Sequence, residues 1–93
     1  MIKAYVLFKV NSGSEKSVCK KIADLENVLD VSVIYGEYDI IAKVGVQNLD
    51  QLNSFLDKVR EIPSVILTST MIVAQEYKGR EVRENLTAEA KSK

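Results

Sequence analysis

An α+β domain, with four antiparallel strands and two helices on one face of their sheet, is the fold this sequence predicts. Three observations carry the expectation. Residues 2–10 alternate apolar and polar-edged side chains with period two, the pattern of a strand with one face in a core. Two later stretches, 18–25 and 49–59, place apolar residues at helical spacing. The segments 28–46 and 65–74 are rich in β-branched residues, and the first of them is broken at Gly36-Glu37.

In the first strand, Ile2, Ala4, Val6, Phe8 and Val10 point one way, and Lys3, Tyr5, Leu7 and Lys9 the other. Asn11-Ser12-Gly13-Ser14 ends it. Ser12 with Glu15 has the form of a capping box, so a helix is expected to start here. Val18, Ile22 and Leu25 form its apolar stripe. Cys19 lies beside that stripe as a small hydrophobe; as a reactive thiol it would need an activating neighbour that the sequence does not supply.

Two strands, Val28 to Tyr35 and Tyr38 to Val46, then meet at Gly36-Glu37. A two-residue loop with glycine first fits a type II′ hairpin turn. That register sets Tyr35 against Tyr38, Val33 against Ile40 and Val31 against Ala42 on one side, with Asp39 against Ile34 on the other. Asn48 and Gln51 signal a second helix, striped by Leu49, Leu52, Phe55, Leu56 and Val59 and stopped by Pro63. VILTSTMIVA, 65–74, is the last strand. The order β-α-β-β-α-β is the split βαβ, or ferredoxin-like, arrangement.

Two helices cover one face of such a sheet only. Tyr5, Leu7, Ile34 and Ile41 fall on the other face, where they would make an apolar patch that monomers seldom leave exposed. A homodimer packed sheet face to sheet face, closing a dimeric α/β barrel, is therefore expected. Folding of the C-terminal tail over this face is the alternative. In the tail, Val82, Leu86 and Ala90 are spaced for a weak helix; a frayed or disordered end is the other reading.

Composition narrows the function classes. At 93 residues there is room for one domain, and such a domain is marginal alone. One cysteine excludes an internal disulfide, and the lack of histidine argues against the usual zinc and haem sites, so no metal or cofactor is expected. Thirteen basic residues balance thirteen acidic ones, which does not make the basic face of a nucleic-acid binder. MIKAYVLFKV alternates instead of forming a signal-peptide core, and no apolar run approaches the roughly 20 residues of a membrane span. A soluble, cytoplasmic protein is expected.

Without histidine or a glycine-rich phosphate motif, catalysis has little to build on. Lys3, Lys9 and Lys43 read as solvated or edge charges, so a non-enzymatic protein is expected. Binding has more support. Asp39 follows a glycine turn on a face that association would bury, and a buried carboxylate needs a cation or donors. Thr68-Ser69-Thr70 interrupts an apolar strand, either as β-branched filler or as hydroxyl donors. A carboxylate for an ammonium and donors for a carboxylate are what a free amino acid requires.

VIYGEYDIIAKV, followed after one helix by VILTSTMIV, resembles the effector-binding (RAM) domain of the Lrp/AsnC family of transcriptional regulators. The likeness covers about residues 1–75 and leaves 76–93 as a charged tail. It implies sheet-to-sheet dimers that often assemble into octamers, and an amino-acid effector bound between dimers. Carried onto this chain, the ligand-binding positions are Gly36, Tyr38 and Asp39, with Thr68, Ser69 and Thr70 from the last strand. Asp39 would meet the effector ammonium, the last-strand donors its carboxylate, and Gly36 would permit close backbone approach. Full-length members carry an N-terminal helix-turn-helix, whereas here Met1 immediately precedes the first strand. The resemblance therefore implies a stand-alone module that senses amino acids, or co-assembles with a full-length regulator, without binding DNA itself. A purely structural interaction module and a small dimeric ferredoxin-like enzyme are the alternatives.

Overall fold

β1 (Ile2–Val10) is a central strand, and its alternation organises everything else. Ala4, Val6 and Phe8 are fully buried, while Tyr5 and Leu7 between them are only partly covered. The structure, a computed structural model, describes residues 1–81. After β1 come α1 (Glu15–Ala23), β2 (Val28–Val33), β3 (Ile40–Val46), α2 (Leu49–Arg60) and β4 (Val65–Ile72). The sheet order is β2-β3-β1-β4 with every neighbouring pair antiparallel, which is the expected ferredoxin-like topology.

The core lies on one face. Val6, Phe8, Ile40, Ala42 and Val44 meet Val18 and Ile22 of α1 and Leu52, Phe55 and Val59 of α2 in one apolar cluster. Opposite-strand partners match across it: Phe8 faces Ile40, Val6 faces Ala42 and Ala4 faces Val44. Burying each large side chain here is worth about 1.5–3 kcal/mol, which is why both helices share the same face. Cys19 packs against this cluster, and desolvation pushes its thiol pKa up, the behaviour of a filler and not of an activated nucleophile.

The helix starts differ from each other. At α2, Asn48 accepts from the Gln51 N–H at 2.9 Å and Gln51 Oε1 accepts from the Gln47 N–H at 2.8 Å, a reciprocal cap where the sequence signals one. At α1 the expected Ser12–Glu15 box does not form. Ser14 occupies the cap position without a side-chain cap bond, because its hydroxyl is turned back to the Asn11 carbonyl. Glu15 instead accepts from the Gly13 N–H at 3.4 Å, a long contact.

The β2–β3 register is the expected one: Val33 faces Ile40, Ser32 faces Ile41 and Val31 faces Ala42, with an irregularity only between Val28 and Asp30. The turn is not. The ladder stops at Val33 and Ile40, and 34–39 form a longer connection, with Tyr35 fully exposed instead of facing Tyr38. Only the Ile34 N–H to Asp39 carbonyl bond, 2.9 Å, continues the pairing. The physical reason lies on β1, which draws Asp39 toward itself. The tail positions Val82, Leu86 and Ala90 lie outside the described residues.

Candidate functional site

Gly36 sits at the apex of the 34–39 turn with φ of 145°, a conformation that glycine adopts without cost and L side chains rarely do. The descending limb of that turn is stitched to β1. The Asp39 N–H donates to the Phe8 carbonyl at 2.9 Å, and the Asp39 carboxylate accepts from the Val10 N–H at 2.9 Å. Lys9 Nζ donates to the Glu37 carbonyl at 2.8 Å. Asp39 therefore has a structural task, satisfying a main-chain donor near the end of β1. Tyr38 is partly covered beside it.

The last-strand hydroxyls divide between the two faces. Thr68 and Thr70 pair with Phe8 and Val6, so they lie on the helix side; Ser69 pairs with Leu7 and lies on the open side. Asp39 and Thr68 flank Phe8 from opposite strands, two strand spacings or about 10 Å apart in backbone terms. Within one chain the six candidate residues are neighbours along one end of the sheet and not one closed pocket.

The open face is apolar in its middle. Leu7 and Ile41 face each other across β1 and β3, Tyr5 faces Met71 across β1 and β4, and Leu67 stands opposite Lys9. Leu67 and Met71 are half exposed, at 51% and 53%. Ile34, the fourth expected contributor, lies just past the end of β2 and is partly covered.

At the other end of this face stands a cluster that sequence reasoning missed. Glu76 Oε1 is 2.9 Å from Lys3 Nζ, and Glu76 Oε2 is 3.1 Å from Lys43 Nζ, with Lys78 Nζ at 3.5 Å from Oε1. Lys43 also lies 5.8 Å from the Tyr5 ring centroid, within cation–π range. Hydrogen bonds from Lys3 and Lys43 hold the Glu76 carboxyl down to about 2, and the Glu76 hydrogen bond raises the Lys43 ammonium. Partners 73 and 33 residues away in the chain leave no local pattern by which to find them. Only the out-facing parity of Lys3 and Lys43 marked the face they share.

This geometry has a family. The Lrp/AsnC ligand-binding domain matches residues 3–82. The chain belongs to the Lrp/AsnC family. It is 37% identical over 75 residues to the HTH-type transcriptional regulator FL11 of Pyrococcus abyssi, covering 81% of this chain and 50% of that protein. It thus spans about half the length of the curated relatives of this kind. The crystal structure of FFRP-DM1 superposes with a TM-score of 0.75 at 38% identity, covering 78% of this chain and 99% of that one. A 57-residue stretch is also 33% identical to part of a homocitrate synthase of Sulfolobus acidocaldarius, but that part is 12% of the enzyme. Membership makes this a ligand-binding domain of a family of transcriptional regulators. Among the described residues no helix is long and apolar enough to cross a membrane.

Proposed function

We propose that this protein is a non-enzymatic, cytoplasmic regulatory module that binds an amino-acid effector and acts on transcription through assembly, with itself and with a full-length Lrp/AsnC regulator. The observation that carries this reading is the match of residues 3–82 to a ligand-binding domain, joined to a sheet whose second face carries Tyr5, Leu7, Ile41 and Met71 with neither α1 nor α2 over them. Residues 1–75 act as the effector-binding unit and 76–93 as its charged extension.

In this reading two copies pack face to face through Tyr5, Leu7, Ile34 and Ile41. Each buried apolar side chain contributes about 1.5–3 kcal/mol against the cost of association. The effector site is shared between copies. Gly36, Tyr38 and Asp39 of one copy then supply the ammonium side. Thr68, Ser69 or Thr70 of another supplies donors to the carboxylate. Higher assembly, to an octamer of paired dimers, brings such surfaces together.

A thermal-shift panel of the common amino acids at millimolar concentration tests this. A ligand at 100 times its Kd adds about 2.7 kcal/mol, on the order of 10 °C for a domain of this size. The expected result is a selective shift that disappears in Asp39→Asn, which removes the charge while an amide oxygen can still accept from Val10. A shift that survives in Asp39→Asn sinks the site assignment. A flat panel with concentration-dependent assembly would make this an interaction module only.

A further inference from the structure

We propose that Arg60 and Thr68 form the carboxylate end of the effector site, where a small carboxylate with a short aliphatic body enters the corner between α2 and β4. This rests on the effector reading above and deepens it, because it names the group that neutralises the effector's negative charge.

The turn between α2 and β4 builds the corner. Arg60 is the last residue of α2, and Val65 begins β4. A cleft of about 330 Å³ opens there, lined by Arg60, Val65, Ile66, Leu67 and Thr68. Of the described residues that line it, only Arg60 carries a charge. Thr68 is the one member of Thr68-Ser69-Thr70 that reaches it. Thr68 pairs with the buried Phe8, so it lies on the helix side with α2. Both donors therefore stand away from the face on which two sheets would pack. Leu67 borders the cleft too, but it pairs with Lys9 and its side chain belongs to the other face.

The chemistry follows from the pair. A guanidinium offers a planar fork of N–H donors that matches the two oxygens of one carboxylate. Its charge-assisted bonds are roughly twice as strong as those from a neutral hydroxyl. Thr68 adds one hydroxyl donor beside it. Arg60 is loosely engaged within its own helix. Its ion pair with Asp57, one turn back, is 3.6 Å long with both side chains mostly exposed, and such pairs contribute little. The end of the helix makes no demand on it either. The Glu61 N–H donates to the Lys58 and Val59 carbonyls, and the Val65 N–H donates to that of Ile62. Those carbonyls have their donors without the guanidinium.

The strand supplies the wall for the ligand body. Lys9 faces Leu67 and Val10 faces Val65, which leaves Ile66 as the extra residue of a bulge. A bulge re-aims a side chain, and Ile66 is 62% exposed while it lines the cleft. A short aliphatic chain covers Ile66 and Val65 while its carboxylate meets Arg60 and Thr68. The corner also shares its end of the sheet with the 34–39 turn. Lys9 and Val10 bind that turn on one side and face Leu67 and Val65 on the other.

Isobutyrate is the probe, since it has the carboxylate and the aliphatic body without an ammonium. It is titrated into the full chain, with neutral isobutyramide and sodium chloride at matched ionic strength as controls. NMR follows the Arg60 Nε–H and the backbone amides of 65–68. In wild type, isobutyrate shifts these signals saturably and neither control does. Arg60→Gln weakens binding about tenfold or more, and Thr68→Val about threefold. Arg60→Lys recovers part of the loss, because a point charge replaces the fork. The proposal is overturned if isobutyrate leaves this corner unmoved, if Arg60→Gln binds as well as wild type, or if chloride shifts the same signals equally. The two readings fail separately. A selective amino-acid thermal shift that survives in Arg60→Gln keeps the effector reading and sinks this one. Isobutyrate binding lost in Arg60→Gln, beside a flat amino-acid panel, keeps the carboxylate site and sinks the amino-acid effector.

Discussion

On the helix side of β1, Ala4, Val6 and Phe8 have no exposed surface; one residue out of step, Tyr5 and Leu7 stay partly open and Lys9 is exposed. Both sets belong to one strand and share its neighbours β3 and β4. The difference is the cover. Two amphipathic helices close the first face, whereas among the described residues the second face has the segment 73–78 across one end. Folding stability therefore resides on one side of the sheet, and the association proposed above would use the other. The two properties can be separated by mutation at adjacent positions.

Phe8→Ala should give the largest effect. Removing a fully buried aromatic ring costs about 3–5 kcal/mol, a large share of the roughly 5–15 kcal/mol available to a domain. Leu7→Ala, one residue away, should cost the isolated chain no more than about 1–2 kcal/mol, since part of its surface is already in water. Urea denaturation at low protein concentration measures both, and equal losses would break the distinction between the faces.

Ile41→Lys sharpens the same comparison from the open side. Its unfolding midpoint at low concentration should stay near that of wild type, while sedimentation equilibrium shows a monomer and the melting temperature loses its dependence on concentration. A variant that still associates with wild-type affinity would move the interface elsewhere.

Asp39→Ala should destabilise by about 1–3 kcal/mol, because the Val10 N–H loses its acceptor in a partly buried place. Asp39→Asn should recover most of that loss. If both variants cost the same, the charge and not the hydrogen bond is what the turn requires.

The smallest effect is the pH response of Glu76. Its folded pKa of about 2 lies below the ordinary 4.5, so its contribution is fully present above about 4.5 and is lost as pH falls through about 2. Hydrogen-exchange protection of 73–78, measured at stepped pH and corrected for intrinsic rates, should persist through pH 4.5 and fall on approach to pH 2. Glu76→Gln should show no such step.

Much of the fold was legible because it repeats locally. Period two over 2–10 and 40–46 sorts core from open face, and the i, i+4 stripes of both helices point them at the same side. Apolar matching of Val33 with Ile40 and Val31 with Ala42 sets the hairpin register, since a one-residue slip would turn both strands inside out. The capping signal at Asn48 held because α2 starts directly after it, whereas the one at Ser12 failed because α1 starts two residues later than that box requires, with Ser14 at the cap and Glu15 as the first helical residue.

The candidate site was less legible. Alternation alone separates Ser69 from Thr68 and Thr70, yet the backbone distance from Asp39 to the last strand depends on β1 lying between β3 and β4. The shape of the turn depends on β1 as well. Phe8, Lys9 and Val10 each offer a partner to 34–39, and those contacts override the two-residue hairpin that Gly36 suggests.

By itself, then, this sequence determined the order of elements, the buried face of each and the pairing of the hairpin, all of which follow from spacings of two to four residues. Only the tertiary structure decided what meets Asp39, how the last-strand hydroxyls divide, and that Glu76 closes on Lys3 and Lys43. Those contacts join residues far apart in the chain whose charges and donors suit many partners, and only the completed sheet brings one set within reach.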